Sequence, residues 1–481
     1  MSRMVLILLI NSRLSEQAKK HVRCYIIMKE ITIIPLPLRK RRPGKLRLFF
    51  RWTFRIIVLV IIVFLLIIGY TLRSDLYRLF VRFPKEARAW AAIKADRQEV
   101  TLDDGWTDYR GPIHNHSFIS HDSNVSFEEI LTTLKETDCD FIFMADHCVN
   151  NITDFKLQWR GLKDGKLFVP GFEMDYGFMP FGVHSNVQLK KNTHPQELAK
   201  QVVDNGGILT YAHSEQQRDW TIPEVIGMDI YNTHADVMDE DFNQLKISLL
   251  LSLWSYPDQA FRMIFDTQHE QMKKWDRLNQ DRKMVGFASN DCHQNQGFIV
   301  YYTKDGKLRI DDTSSKTLAI VNLNFFTKTL LRLFPGPLEP DGQVFHVQLD
   351  PYERMVRYVG NHILAKELTE EALLESFKQG RVFISFDMLA DGRGFIWMAQ
   401  KGEEQVVMGE SMTYHDGIIL RAAAPQACRF IVIKDGNEVY CSEGRNLDWQ
   451  PKGPGKYRVE AELFVLDEWL PWVYTNPIEL L

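Results

Sequence analysis

No C-x-x-C pair occurs in the 481 residues, so the six cysteines form neither a zinc ribbon nor a thioredoxin-type redox pair. They are Cys24, Cys139, Cys148, Cys292, Cys428 and Cys441; the last two could pair in an oxidising space, and two partly buried thiols is the simpler reading. There is no internal repeat and no low-complexity tract. Residues 39–55, RKRRPGKLRLFFRWTFR, contain eight Lys/Arg and no acid. Residues 56–72, IIVLVIIVFLLIIGYTL, contain no charge over 17 positions. No small-residue A-x-A cleavage site follows, which argues against a cleaved signal peptide. The formal charge of -4 therefore divides into a basic run and a remainder of about -12. A basic stretch beside an acidic body excludes the basic face of a nucleic-acid-binding protein.

What is present fits an uncleaved anchor. The apolar run is long enough to span as a helix, flanked by Trp52 and Phe54. The positive-inside rule keeps 39–55 in the cytoplasm and sends the bulk of the chain out, although Arg73, Arg78, Arg82, Lys85 and Arg88 weaken the asymmetry. The expectation is a single-pass membrane protein, N-terminus cytoplasmic, with an extracytoplasmic (periplasmic or extracellular) body. Met28 opens a natural alternative start, which leaves 1–27 of doubtful use.

The length exceeds one compact domain. From 110 to 300 short apolar runs end in polar residues able to bind metal: FIFMADH at His147, LFVPGFE at Glu173, GILTYAH at His213, GMDIYNTH at Asn232 and His234, MVGFASNDCH at Asp291 and His293. Helical segments lie between. SFEEILTTLKETD (126–138) has a capping-box spacing, and THPQELAKQVVDNGG (193–207) has Pro early and Gly at its end. Alternating strands and helices imply a parallel sheet. Polar residues at the strand ends imply a β/α barrel, with an open doubly wound sheet as the other architecture. Residues 235–283 read as a helical insertion and 311–380 as a helical transition. From 381 short runs separated by turn residues, KDGNEV among them, read as a small antiparallel β-sandwich. The divisions are 1–53 basic segment, 54–72 span, 73–108 linker, 109–310 barrel, 311–380 transition and 381–481 sandwich.

Ten of the fourteen histidines fall between 114 and 293. His114, His116, Asp122, His147, Glu173, His184, His213, Asp291 and His293 sit at strand ends or tight loops. H-x-H on extended chain points both rings one way. Imidazole with carboxylate and no thiolate suits Zn, Mn or Fe. Nine ligands exceed one ion and suffice for two or three, with Glu173 as the bridging carboxylate. A metal-bridged hydroxide is nucleophilic at neutral pH, and paired ions clamp the oxygens of an in-line displacement, which is phosphoester chemistry.

HNHSFISHD, FMADH, GFE, GVHSNV, YAHSE and NDCH together resemble the PHP (polymerase and histidinol phosphatase) superfamily of metal-dependent phosphoesterases over residues 109–300. The resemblance implies a distorted (β/α)7 barrel with a two- or three-metal site. It implies one metal on His114, His116, Glu173 and Asp291, a second on Glu173, His184 and His213, and a third on Asp122, His147 and His293. Glu173, His213 and Asp291 would stand around the nucleophile. HDS replaces the family's usual SDG, so Asp122 keeps the carboxylate and His121 is extra, either assisting Asp122 or facing solvent. Ala145 replaces the usual Thr before Asp-His. The C-terminal part, with LDPYERMVRYVGNH, GRVFISFD and PWVYTNPIEL, is more loosely similar to membrane-anchored or secreted PHP-type hydrolases, some of which cleave carbamates or other esters.

Around these ligands, Asp146 is expected to orient a ligand imidazole. Arg218 contacts a phosphate or makes a surface ion pair, Asn232 orients a loop, and His234 faces substrate or hydrogen-bonds at a strand end. His194 and His269 read as surface residues, and His362 has no assigned role. The functional expectation is a membrane-anchored metallo-phosphoesterase acting on a small-molecule substrate. The alternatives are a carboxyl-ester or carbamate hydrolase on the same metals, favoured by the few basic residues near the motifs, and a non-catalytic ligand-binding module.

Overall fold

The computed structural model describes residues 45–239, 242–252, 254–265, 267–324, 339 and 341–481. Most of the expected cytoplasmic segment, through residue 44, and the Met28 start lie outside the described residues. The chain divides into two units, Met1–Thr71 and Leu72–Leu481.

In the first unit, α1 (Lys45–Thr71) contains an apolar stretch, Phe49–Thr71, of 23 residues. At 1.5 Å per residue that is about 35 Å, long enough to cross a hydrocarbon core. It begins five residues before the expected 54–72 span and includes Phe49, Phe50 and Trp52.

The second unit opens with α2 (Arg73–Tyr77), a π-helical turn (Arg78–Arg82) and α3 (Phe83–Ala95), whose first turn holds Pro84. The strands β1 (Thr107–Gly111) and β2 (Ile113–Asn115) flank Pro112. Next comes α4 (Phe127–Glu136), closed at Ser126 by the reciprocal bonds with Glu129 that the sequence spacing predicts. Then follow β3 (Phe141–Met144), β4 (Asp146–His147), β5 (Gly161–Lys163), β6 (Lys166–Val169), β7 (Phe172–Glu173), β8 (Phe178–Phe181), α5 (Pro195–Asp204), β9 (Ile208–Tyr211) and β10 (Val225–Asn232). The insertion is helical as expected: α6 (Thr233–Asp239), α7 (Phe242–Ser252), α8 (Pro257–Phe261) and α9 (His269–Asp281), leading into β11 (Val285–Cys292).

The sheet order is β5-β6-β3-β2-β11-β10-β9-β8. Its six central strands are parallel, and β5 and β8 run antiparallel at the two edges. A parallel sheet is covered on both faces. Accordingly Phe141 and Phe143 pack with Ile113, Phe181, Phe287 and Phe377, while Ile142 and Met144 point into a separate core with Phe127 and Phe168. The ladder itself is open. An isolated bridge links Gly171, just beyond β6, to Phe181 on the edge strand β8.

Four strands, β12 (Gly297–Tyr302), β13 (Lys307–Asp312), β14 (Thr317–Asn322) and β15 (Gly342–Gln348), form an antiparallel sheet in the order β14-β13-β12-β15. Much of it falls where a helical transition was expected. The Asp305-Gly306 dipeptide, with Gly306 at φ 77°, was the hairpin signal for β12–β13. After it come α10 (Tyr352–Tyr358), β16 (Gly360–Ala365), α11 (Glu370–Gln379) and β17 (Val382–Ser385).

The region expected to be a separate sandwich over 381–481 belongs to one eleven-stranded sheet that starts much earlier, with β1 paired to β16 and β16 to β17. Buried asparagines explain the joining. The Asn361 side chain bonds both the N–H and C=O of Ala288 at 2.8 Å, and Asn476 does the same to Gly286 at 2.8 Å. Each substitutes for a ladder rung on β11, so the C-terminal sheet grips the strand that carries Asp291. Cys428 and Cys441 are free thiols, one buried and one exposed.

Candidate metal centre

Parallel strands end together, and that end gathers the polar residues. β2 delivers His114 and His116, β11 delivers Asp291 and His293, and β9 is followed by His213. The two-residue pair β4–β7 sets His147 beside Glu173 in register. A Cβ on Gly171 would collide with Met144 O, so only glycine lets the Glu173 segment approach this closely. Three of these residues adopt left-handed backbone: His114 at φ 66°, His213 at 51° and Asp291 at 51°. Such strain, at residues other than glycine, persists only where surrounding structure holds it and gathers at functional sites.

Four of the imidazoles share one orientation, and His147 differs, with Nδ1 3.6 Å from Glu173 Oε2 and Nε2 toward Asp122. His213 has Nδ1 3.2 Å from Glu215 Oε1, His293 has Nδ1 3.1 Å from its neighbour Asp291 O, and His114 has Nδ1 3.3 Å from Ser289 Oγ. For His116 the hydrogen-bond count decides the tautomer. Ser120 Oγ accepts from His147 N–H at 2.9 Å and donates its one proton to Asp146 Oδ1 at 3.0 Å. His116 Nδ1, 3.0 Å away, must therefore be the donor to Ser120, which leaves Nε2 as a lone pair. His114 Nε2 and His116 Nε2 are buried without a hydrogen-bond partner, as are Asp291 Oδ1 and Asp122 Oδ1.

These atoms converge without touching. His114 Nε2 lies 3.4 Å from both Glu173 Oε2 and Asp291 Oδ1, and His116 Nε2 lies 3.3 Å from Asp291 Oδ1. His213 Nε2 lies 3.4 Å from Glu173 Oε1 and 3.5 Å from Asp291 Oδ2. Asp122 Oδ2 lies 3.4 Å from Nε2 of both His147 and His293. Such gaps are long for hydrogen bonds. They match the edge of a coordination tetrahedron, roughly 3.4 Å for bonds of about 2.1 Å. Among the described residues four groups fit an ion by mutual distance, three of them here: His116, Asp122, His147 and His293; His114, Glu173 and His213; and His114, His116 and Asp291; the fourth, His362, Asp387 and Asp391, lies away from this centre.

Electrostatics agree with ionised carboxylates among imidazoles. Despite burial, His114 and His213 hold Glu173 well below the usual carboxylate range. Asp291 is likewise held down against burial, by His114 and His116. Burial, with His293 beside it, pushes His116 down to about 3. Burial opposes the charge on His213 and His293 too, but Glu173 and Glu215 raise the first to about 11, and Asp122 and Asp291 raise the second to about 9. A divalent cation entering this set displaces those protons.

Of the nine expected ligands, eight are gathered and His184 is not. β8 runs antiparallel to β9, with Phe181 opposite Ile208, so the chain beyond β8 emerges at the other end of the sheet. His184 is exposed there, over Gly206. His116 stands also in the group of Asp122, His147 and His293, its ring stacked on His293 at 3.8 Å. His121 is 78 % exposed with Nε2 3.9 Å from Asp122 Oδ2, and thus faces solvent.

Asp146 is fully buried and accepts from Ser117, Ser120 and Gln158, so it orients His116 through Ser120. Asn232 caps α6 by accepting from His234 N and Ala235 N, and its amide reaches His213 Nδ1 at 3.4 Å. His234 and Arg218 line the cavity over the centre. The Arg218 guanidinium also donates to Ala212 O at 3.0 Å. Ser120, Glu215, Asp229 and Gln158 were not foreseen. Asp229 accepts from the backbone N–H of His213 and Ser214, at 2.9 and 2.8 Å. Glu215 lies inside YAHSE, Ser120 inside HNHSFISHD and Asp229 inside GMDIYNTH, whereas Gln158 lies in no motif.

No family model and no curated protein matches the sequence. Among solved structures the chain has a similarity to a two-domain protein from Bacteroides vulgatus containing a predicted PHP-like metal-dependent phosphoesterase, at 11 % identity, covering 79 % of this chain and 98 % of that one. The TM-score is 0.33, and the site rests on its own geometry.

Proposed function

We propose that this chain is a membrane-anchored, multinuclear metal-dependent hydrolase that cleaves a phosphoester. The observation that carries the reading is the convergence of imidazole Nε2 atoms from His114, His116, His213 and His293 on the carboxylates of Glu173, Asp291 and Asp122, with Nδ1 occupied behind each ring. His114, His116 and Asp291 would hold one ion, His114, Glu173 and His213 another, and Asp122, His147 and His293 a third, with His116 close to both the first and the third. Glu173, with its oxygens 3.4–3.8 Å from His114, His116, His147 and His213, is the carboxylate that two ions could share, whereas the single lone pair of His114 Nε2 would serve one ion or the other. Zn, Mn and Fe all suit this donor set. Divalent ions bound there supply Lewis-acid activation of water and of the scissile ester.

The chain's own residues do the rest. Ser120, Glu215 and the Asp291 carbonyl hold the ring N–H protons and keep the Nε2 lone pairs facing inward. Arg218 and His234 on the cavity wall are the groups able to meet an anionic substrate. The open sheet, with its isolated bridge between Gly171 and Phe181, is read as a distorted (β/α)7 barrel with its mouth at this centre. The apolar helix Phe49–Thr71 supports an anchor with the basic flank in the cytoplasm and the site outside.

The second reading, a carboxyl-ester or carbamate hydrolase, is favoured by one observation: among the described residues lining the cavity over the centre, Arg218 is the one Lys or Arg. The experiment is elemental analysis of the full chain purified in detergent, together with turnover of p-nitrophenyl phosphate, bis-p-nitrophenyl phosphate and p-nitrophenyl esters, against a His114→Ala/His116→Ala control. Two or three ions and phosphoester turnover lost in the control support the first reading. Ester turnover alone supports the second. Metal-free protein that stays inactive with added Zn, Mn or Fe refutes both and leaves a binding module.

A further inference from the structure

The cavity above the metal centre has a volume of about 550 Å3 and two unlike halves. One holds the ionisable cluster. The other is lined by Val237, Leu249, Phe261, Ile264, Leu349 and Met355, mostly from the inserted helices. A site for a small hydrophilic phosphate has no use for a hydrocarbon wall of that extent. Burying each methylene of a ligand there is worth about 0.8 kcal/mol, close to fourfold in affinity.

Leu249 of this wall stands on α7, a helix whose outer side is apolar. On α7, Ser248, Leu249 and Ser252 face inward. Ile247, Leu250, Leu251 and, just past the helix end, Trp254 recur at helical spacing and all face out, Trp254 being 74 % exposed. Soluble proteins seldom expose such a stripe without a partner. The helix packs on α2 and the π-helical turn, with Ser248 bonded to Asp75. That neighbouring segment is also apolar outside, at Tyr77, Phe80 and Val81. It follows the spanning helix in sequence with only Leu72 between. Residues 73–88 carry five basic and two acidic side chains, which suits an anionic lipid surface.

We propose that the substrate is an amphiphile held in the bilayer: a phosphoester head delivered to the metal centre, with a hydrocarbon tail lying along the Leu249–Phe261–Ile264–Met355 wall. The outward stripe of α7 is the face that meets the lipid surface. This rests on the hydrolase reading above, whose chemistry adds water across the P–O bond to release the alcohol and phosphate.

The test uses the full chain in phosphatidylcholine nanodiscs and dodecyl phosphate bearing a diazirine at the chain end. Photolysis and peptide mapping are expected to place adducts within 237–264 and 349–355. Excess dodecyl phosphate should suppress them at least ~10-fold more effectively than butyl phosphate, a modest share of the methylene gain. The pattern should persist after metal removal, because the tail site does not need the ions. Leu249→Gln should lower pocket labelling several-fold while labelling of 49–71 stays constant. Should that variant fail to fold, the wild-type competition still decides.

Adducts confined to 49–71 or 77–81, no adducts at all, or equal suppression by butyl phosphate would overturn the proposal. Phosphate release from butyl and dodecyl phosphate is read in parallel. Pocket adducts without turnover on any metal would refute the hydrolase reading and keep the amphiphile site; turnover without pocket adducts would do the reverse.

Discussion

Replacing Ser120 with alanine removes one oxygen that three parts of the centre share. Its hydroxyl receives the His116 Nδ1 proton at 3.0 Å, caps the His147 N–H at 2.9 Å and donates to Asp146 at 3.0 Å. Ser120 is 3 % exposed, so water does not readily replace the hydroxyl. The variant leaves a buried imidazole N–H and a buried backbone N–H without acceptors. Each such group costs about 1–3 kcal/mol. His116 can relieve its share by moving its proton to Nε2, which then offers no lone pair to a cation. The loss should therefore appear in metal affinity, at about 1.4–2.8 kcal/mol or roughly 10- to 100-fold, the range found when a partner behind a ligand imidazole is removed. The assay is competition with a chromophoric chelator on the full chain in detergent at pH 7.5, for Zn and Mn separately. Ser120→Thr, which keeps the hydroxyl, should recover most of the affinity. If Ser120→Ala binds every ion as tightly as the wild type, the tautomer argument fails. If Thr and Ala lose equally, packing rather than the hydrogen bond was responsible.

Glu173→Gln should lower bound metal by at least one ion per chain, measured by elemental analysis, since this carboxylate faces His114, His147 and His213 within 3.6 Å. His184→Ala should leave metal content and turnover unchanged, because that side chain sits at the opposite end of the sheet; loss of an ion would refute the described path of β8. Chelation should lower Tm and re-addition restore it, by about 2.7 kcal/mol of stability at a hundredfold excess of free ion over Kd.

A pH effect is expected away from the centre at His362, which is fully buried with Nδ1 2.8 Å from Asp108 Oδ1. Burial opposes its charge, yet Asp108 and Asp387 raise it to about 9. A raised histidine contributes stability fully below its unfolded value near 6.5, and loses it as pH climbs through about 9. The contribution is on the order of 3 kcal/mol. Melting of wild type against Asp108→Asn from pH 6 to 9.5 should show the two converging as pH rises; parallel curves would refute the pairing.

The sequence by itself determined what local chemistry controls. Seventeen uncharged residues demand a helix long enough to span, whatever follows them. Ser126 with Glu129, and Pro195 with the following glycines, specify two helices from within a few residues. Eight of the nine expected residues gather at one end of the sheet, and that gathering was legible because hydrophobic runs ending in His, Asp or Glu declare buried strands with polar tips, and parallel strands end on one side. The same logic placed His184 wrongly, since it could not reveal that β8 runs antiparallel and so delivers its tip to the far end; strand direction is set by long-range pairing with β9. The pairing of β1 with β16, the grip of Asn361 and Asn476 on β11, and the Ser120–Asp146 support behind His116 were likewise decided only by tertiary structure. Each joins residues distant in sequence through single hydrogen bonds, and a buried Asn or Ser reads the same in sequence as one on a loop. The two-faced cavity belongs to this second class. Its apolar half comes from α6, α7, α8 and the turn after it, and from two later segments, and only folding brings them over the histidine–carboxylate cluster.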